Sequence, residues 1–480
     1  MKYKRNYYSR RHQSKLIFLI VLSAFASTGC KKFVEVGAPS TQIVTASVFS
    51  DNGAAHAALV NIYSSMINES YNISRNTGLS GDELTNLNPT YAPLYSNSLI
   101  PITAIGVQSW NGWYNYIYQA NAVLEGLNNI SGVTPAIARQ LSGEAKFIRA
   151  FWHFYLINQY GDAPLVMSIN YRANQSLART PKDVVYRQII EDLMDAQQLL
   201  NTDFVNETDT TVTEQRARPC KAAAAALLAR VYLYTNKFDS AALEASNVIS
   251  DSRFSLAQNL NSVFLADSSE AIWQLAIPQP NGNQTVDGNG YVLLTAPGTD
   301  NMLISPQLLA SFEPGDLRMS DWINSYTDGI TTWYYPFKYQ VHDNENNPNN
   351  RSEAVMMLRL AEQYLIRADA RAQQNDINDA LSDLNVIRHR AGLGDYSGAI
   401  DQASVIAAIL HERQVEFFTE WGHRWFDLQR TGAINSVMGS PGNVCQQKGG
   451  TWSTSGYQAL FPIPQTEINQ DKYLTQNPGY

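Results

Sequence analysis

The sequence predicts a mainly α-helical protein, made of closely packed helix pairs that carry long irregular loops and few short strands. Three observations lead there. Apolar residues recur at helical spacing in several long windows. Two of those windows align with each other as helix–turn–helix units. The stretch between them, about 252–352, is rich in Gly, Asn and Asp and shows no such period. With 480 residues, 44% hydrophobic and 16% charged, the chain has ample material for a packed core and is unlike a disordered one.

Residues 1–29 read as a leader that is removed. Lys2, Lys4, Arg5, Arg10, Arg11 and Lys15 precede or abut the apolar run LIFLIVLSAFAS at 16–27. As a helix that run spans about 18 Å, against about 30 Å of bilayer hydrocarbon. It is too short for a stable span and suits a signal segment. The small residues Thr28 and Gly29 follow, then Cys30. This order resembles a bacterial lipoprotein cleavage site, where the thiol is lipidated and the cysteine becomes the first residue. Ser27 stands where such sites usually carry Leu. The alternative is a plain secretory cleavage with a free thiol nearby. The expectation is a leader at 1–29 and a single domain over 30–480, with halves of about 30–250 and 251–480.

The net charge is −8, but the leader holds six basic residues and no acid. Beyond it stand 29 basic against 43 acidic residues, near −14. An acidic body argues against nucleic acid or anionic lipid as a partner.

The helices follow in order. Trp110, Trp113, Ile117, Ala120, Leu124 and Leu127 form one apolar stripe. The segment 144–165 is apolar nearly all round, which implies a helix buried on several sides, stopped at Gly161 with Pro164 soon after. The next opens with Thr180 as N-cap, Pro181 at the first helical position and Asp183 in the first turn. Segments 227–249 and 366–387 then match: Ala229 falls on Ala368, Asn236 on Asn375, Ala241 on Ala380 and Val248 on Ile387. Small residues twelve apart let antiparallel helices approach closely, the spacing of tetratricopeptide repeats. Between the pairs, EAIWQLAIP (270–278) suggests a short strand. The last residues, from Leu460, read as an extended tail.

Chemical motifs are sparse. There is no GxGxxG, phosphate-binding loop, HExxH or GxSxG, and no cofactor is expected. Cys220 and Cys445 are far apart with no CxxC, so zinc is excluded on cysteine count unless His or acidic ligands join; a disulfide stays open, and Cys220 suits a packed or free thiol. In DNENNPNNRSE (343–353), Pro348 occupies the place of the turn glycine that a calcium loop needs, which favours a solvated loop. Asp82 and Glu83 are adjacent, and neighbours in sequence rarely flank a scissile bond as glycoside hydrolysis requires. A capping or ligand-accepting Asp82 is the better reading. In 411–432, Glu420/Arg424, Arg413/Glu416 and Asp427/Arg430 stand at helical spacing among aromatics, which reads as a packing seam with His423 structural.

The chain has 26 Tyr and 9 Trp. A pyranose ring stacks its apolar face on an aromatic ring while Asn, Asp and Arg take its hydroxyls. The candidates are Tyr91 and Tyr95 in one loop, Trp322, Trp333 and Tyr334 in others, and Trp110 at a helix mouth.

Taken together, CKKFVEV, EAKFIRAFWHFYLINQYGDAPLV, RLAEQYLIRADARAQ with LNVIRHRAGL, ERQVEFFTEWGHRWFDLQRTG and the terminal FPIPQTEINQ resemble, in order, the recurring segments of the SusD/RagB family of outer-membrane nutrient-binding lipoproteins. The resemblance spans nearly the whole chain after the leader. It implies a SusD-like α-rich domain, non-enzymatic, anchored through lipid on Cys30 in the outer membrane and facing outward. It also implies a SusC-like, TonB-dependent barrel transporter as partner and a captured glycan, or in some members a peptide. Only Cys30 carries over residue by residue. Two rival readings are a scaffold without small-ligand affinity and a hydrolase using Asp82 and Glu83.

Overall fold

A computed structural model describes residues 49–86, 88–128, 132–206, 211–278, 284–439 and 442–480. The leader and Cys30 lie outside the described residues. The chain is mainly helical, as its periodicity requires. The longer helices are α1 (Asn52–Met66), α2 (Glu69–Ser80), α3 (Ala104–Leu127), α4 (Pro135–Tyr160), α5 (Lys182–Leu199), α6 (Lys221–Tyr234), α7 (Phe238–Ile249), α8 (Leu360–Gln373), α9 (Ile377–Arg390), α10 (Gln402–Phe417) and α11 (His423–Arg430).

Helix α4 shows how the sequence dictates the packing. Every residue from Phe147 to Tyr160 is buried, because α3 and α5 both lie along it. It stops at Gly161, whose φ of +76° belongs to the left-handed region. A Cβ there would stand 2.8 Å from Leu460 Cδ1. Helix α5 starts one residue later than its sequence signal. Thr180 pairs with Ala163 as an isolated bridge, and the Asp162 carboxylate, not Thr180, accepts the Lys182 N–H at 2.8 Å.

The two matched helix pairs are α6–α7 and α8–α9. Asn236 and Asn375 both adopt positive φ, +56° and +63°, in the equivalent turns. The pairs are distant in sequence yet stack directly. Ala229, Leu233, Ala241 and Ala245 share one core cluster with Ile366 and Ala370. A second cluster continues through Ala368, Ala380 and Ile387 to Val405 and Ile409 of α10. The segment between the pairs is therefore an excursion from a continuous helical stack.

Among the described residues the strands form three two-stranded antiparallel sheets. β1 (Leu84–Asn86) pairs with β3 (Met302–Ile304), and β2 (Ala271–Leu275) with β6 (Val355–Arg359). β4 (Ile323–Thr327) and β5 (Thr332–Pro336) make a hairpin. TTWYYPF is thus a strand and not a loop. β2 falls where EAIWQLAIP suggested. The tail contains a short helix, Gln465–Gln470. Cys220 and Cys445 are both free and buried.

The charged segment 411–432 is not one helix. Thr419, Trp421 and Gly422 take positive φ and break it between α10 and α11. Of the three local ion pairs expected, only Asp427–Arg430 forms. Arg413 pairs with Asp427 instead. Glu420 pairs with Lys338 and Arg359, and Arg424 with Asp82. Glu416 is ligated by Arg318, Arg359 and Arg390, which also engage Glu412, Glu270 and Asp316. The seam is real, but it is tertiary: it ties the helical stack to the excursion. His423 is structural, buried against Phe417 with ring centroids 4.8 Å apart. Burial, with Arg230 and Arg413 nearby, holds it well below the usual imidazole range and keeps it neutral.

Candidate functional site

Three of the sequence candidates are withdrawn into the core. Asp82 is 4% exposed and receives a two-pronged bond from Arg424, with Nε at 3.0 Å and Nη2 at 2.7 Å. It holds α11 to the end of α2 and offers no acceptor to a ligand. Its neighbour Glu83 is also buried; burial and the Asp82 charge push its carboxyl up to about 8. Trp322 is fully buried because its Nε1 donates to Leu260 O at 3.0 Å and its ring packs on Phe264. It closes a short helix rather than decorating a loop. Trp110 is 3% exposed and lines a small cleft.

The other four stand on one connected set of elements. β1 runs into the turn Pro89–Tyr91 and the helical turn Ala92–Tyr95, which carry Tyr91 and Tyr95. β1 pairs with β3, and β3 packs on β5, which carries Trp333 and Tyr334. Asn88 Nδ2 donates to Asp300 Oδ1 at 2.6 Å and locks the first segment to the loop before β3. Tyr91 is braced by the Arg75 guanidinium, 4.6 Å from its ring centroid, which is also 5.1 Å from the Tyr71 ring. Lys448 sits 5.1 Å from the Tyr95 ring; its ammonium donates to Leu79 O, Ser80 O and Gly81 O, capping α2.

The hairpin register sorts its side chains. Tyr326 opposes Trp333, Asn324 opposes Tyr335 and Ser325 opposes Tyr334, so Tyr334 lies on the face opposite the other three aromatics. Tyr326, Trp333 and Tyr335 pack on Val292, Leu293 and Leu303. Trp333 remains half-buried, its ring 6.3 Å from Tyr326 at 32°. Tyr334 is 38% exposed.

Beside the hairpin base lies a polar cleft of about 440 Å3. Asn259, Asn261, Asn324, Gln340 and Asn349 contribute amides, Ser320 a hydroxyl, Asp321 a carboxylate, Arg351 a guanidinium and Phe337 a ring. The lining is preset. Gln340 Nε2 donates to Asn261 Oδ1 at 2.6 Å, and Arg351 donates to Asn261 O at 2.7 Å and Glu353 at 3.2 Å. Amides with a single aromatic wall suit a neutral polyhydroxyl ligand. These lining residues were missed in the sequence because they come from four separate stretches; the density of Asn at 344–350 was the only signal. Among the described residues no three His, Cys, Asp or Glu converge as a metal site, and no helix is long and apolar enough to cross a membrane.

This mainly helical fold with few short strands is that of solved SusD-superfamily proteins. A SusD superfamily protein of Bacteroides vulgatus superposes with a TM-score of 0.75 over 90% of this chain and 99% of that one, at 21% identity. A laminarin binding SusD-like protein does so with a TM-score of 0.74 over 90% and 100%, at 22% identity. Residues 316–480 match the SusD family, and residues 33–233 match the family described as starch-binding, associating with the outer membrane. SusD-like protein P25 of Formosa agariphila is 24% identical over 97% of this chain and 99% of its own length. The starch-binding protein SusD of Bacteroides thetaiotaomicron is 25% identical over 74% and 75%. The chain belongs to the SusD family.

Proposed function

We propose that this protein captures an oligosaccharide at the cell surface and delivers it, unaltered, to a SusC-like TonB-dependent barrel in the outer membrane. It is held there by lipid on Cys30 and faces outward. The observation that carries the reading is a hairpin with an aromatic on each face, half-buried Trp333 on one and exposed Tyr334 on the other, beside a preset amide-lined cleft at its base. Aromatic faces supply stacking and amides supply hydroxyl contacts. Relatives named for starch and laminarin binding support a glycan as the ligand class. A non-catalytic role is supported by the fate of the carboxylate pair Asp82–Glu83, since Asp82 is held by Arg424 and Glu83 is buried. Calorimetric titration of the chain against a panel of plant, algal and bacterial oligosaccharides tests the reading. Binding of at least one glycan without turnover is expected. Binding of peptides alone, or release of shortened sugars, would overturn it.

A further inference from the structure

A second cleft, of about 210 Å3, opens between the N-terminal turns of α3 and the C-terminal segment. It shares no lining residue with the amide-lined cleft. At this size it takes one residue-sized group, below the roughly 300–1,000 Å3 of drug-sized sites. Its wall is aromatic: the Trp110 and Tyr114 rings lie 5.0 Å apart, and Tyr160 backs Trp110 edge-on at 5.0 Å. Tyr114 is pinned by its hydroxyl, which donates to Pro164 O at 2.8 Å. Opposite stand Glu467, Gln470 and Asp471, on one short helix and its C-cap. Among the described residues neither Glu467 nor Asp471 has an ion-pair partner; Asp471 accepts only the Tyr473 N–H, and Glu467 a long contact from Thr466.

The cleft therefore joins aromatic rings to two carboxylates, and no Lys or Arg lines it. Arg179, whose charge acts on Tyr114, stands outside the lining. Its guanidinium is spent on Asp162 O, Thr475 O, Gln476 O and Asn477. A neutral sugar would leave both carboxylates uncompensated. A protonated amine satisfies them beside two rings that can add cation–π attraction.

We propose that this cleft is a binding site for a primary ammonium group, carried by an amino-sugar residue or by a peptide amine. It does not rest on the glycan-capture reading, because either site can fail alone. The test is calorimetry on the full chain at about pH 6.5, where such amines are protonated. The probes are the free-amine glucosamine trimer, its N-acetylated counterpart and lysine amide. An amine-bearing probe is expected to bind at least about tenfold more tightly than the acetylated trimer. Binding should weaken as salt rises from about 0.05 to 0.5 M. The double variant E467Q/D471N, on half-buried side chains, should lose the preference while melting as the parent does. Tighter trimer assigns an amino sugar, and tighter lysine amide assigns a peptide amine. Equal affinity for the acetylated trimer, an unaltered preference in E467Q/D471N, or no binding of either amine would overturn the assignment.

Discussion

Substituting Glu416 by Gln removes the charge at the centre of the seam. In the parent, Oε1 accepts from Arg359 Nη1 at 2.5 Å and from Arg390, and Oε2 from Arg318 at 3.0 Å. All four side chains are at most 2% exposed. Gln retains one acceptor but turns an NH2 toward a guanidinium, and three cations lose their shared anion. Breaking a buried pair from one side costs about 3–5 kcal/mol, a large share of the roughly 5–15 kcal/mol that holds a folded chain together. At about 2.1 cal/mol/K per residue over roughly 430 residues, the melting entropy is near 0.9 kcal/mol/K, so Tm should fall by about 4 °C at pH 7. The pH dependence adds a second check. Burial pushes the Glu416 carboxyl up, but Arg390, Arg359 and Arg318 outweigh it and hold it well below the usual range. Its contribution is present above the ordinary carboxylate pKa and is lost as pH falls through the folded one. Scanning calorimetry should therefore show the gap between parent and variant narrowing below about pH 4. A shift under about 1 °C at pH 7, or a gap indifferent to pH, would refute the argument.

Asp287 behaves oppositely: burial pushes its carboxyl up to about 7, Oδ1 accepts from Ser70 at 3.2 Å, and Oδ2 has no protein partner. A raised carboxyl contributes most below its unfolded pKa, and that contribution is lost as pH rises through the folded one. Asp287→Asn should stabilise above pH 7, by at most about 4 kcal/mol, and this gain should shrink steadily as pH falls and vanish below the ordinary carboxylate pKa of about 4; chemical unfolding at both ends of that window reads this. Gly161→Ala forces a left-handed Ala against Leu460 and should cost about 1–3 kcal/mol in urea unfolding. Under the proposed anchoring, Cys30→Ala should move the protein from the membrane to the soluble fraction; persistence in membranes without a barrel partner would count against lipidation.

The helical stack was legible because its signals are local. The all-round apolarity of 147–160 needs no partner to be read, and neither do the small residues at 229/241 and 368/380 or the turn asparagines 236 and 375. The seam was legible as a seam but not in its partners. Helical spacing ranks Arg413 with Glu416, while the fold brings Asp427 within 2.7 Å of Arg413 and leaves Glu416 to three arginines from other elements. The same non-locality hid the amide-lined cleft, assembled from residues near 260, 321, 340 and 350. Trp322 misled for a related reason: its neighbours SDWINSY look polar, yet the Leu260 carbonyl that takes its indole N–H lies 62 positions away.

The central claim is that the hairpin aromatics and the amide-lined cleft hold a glycan. Titrating the parent, W333A and Y334A with the tightest-binding oligosaccharide of the panel tests it most directly. Because the two rings lie on opposite faces of the hairpin, loss of the one on the ligand's side should weaken binding by about fivefold, the worth of one stacking contact near 1 kcal/mol, with no change in fold by circular dichroism. Parent-like affinity in both variants would contradict it.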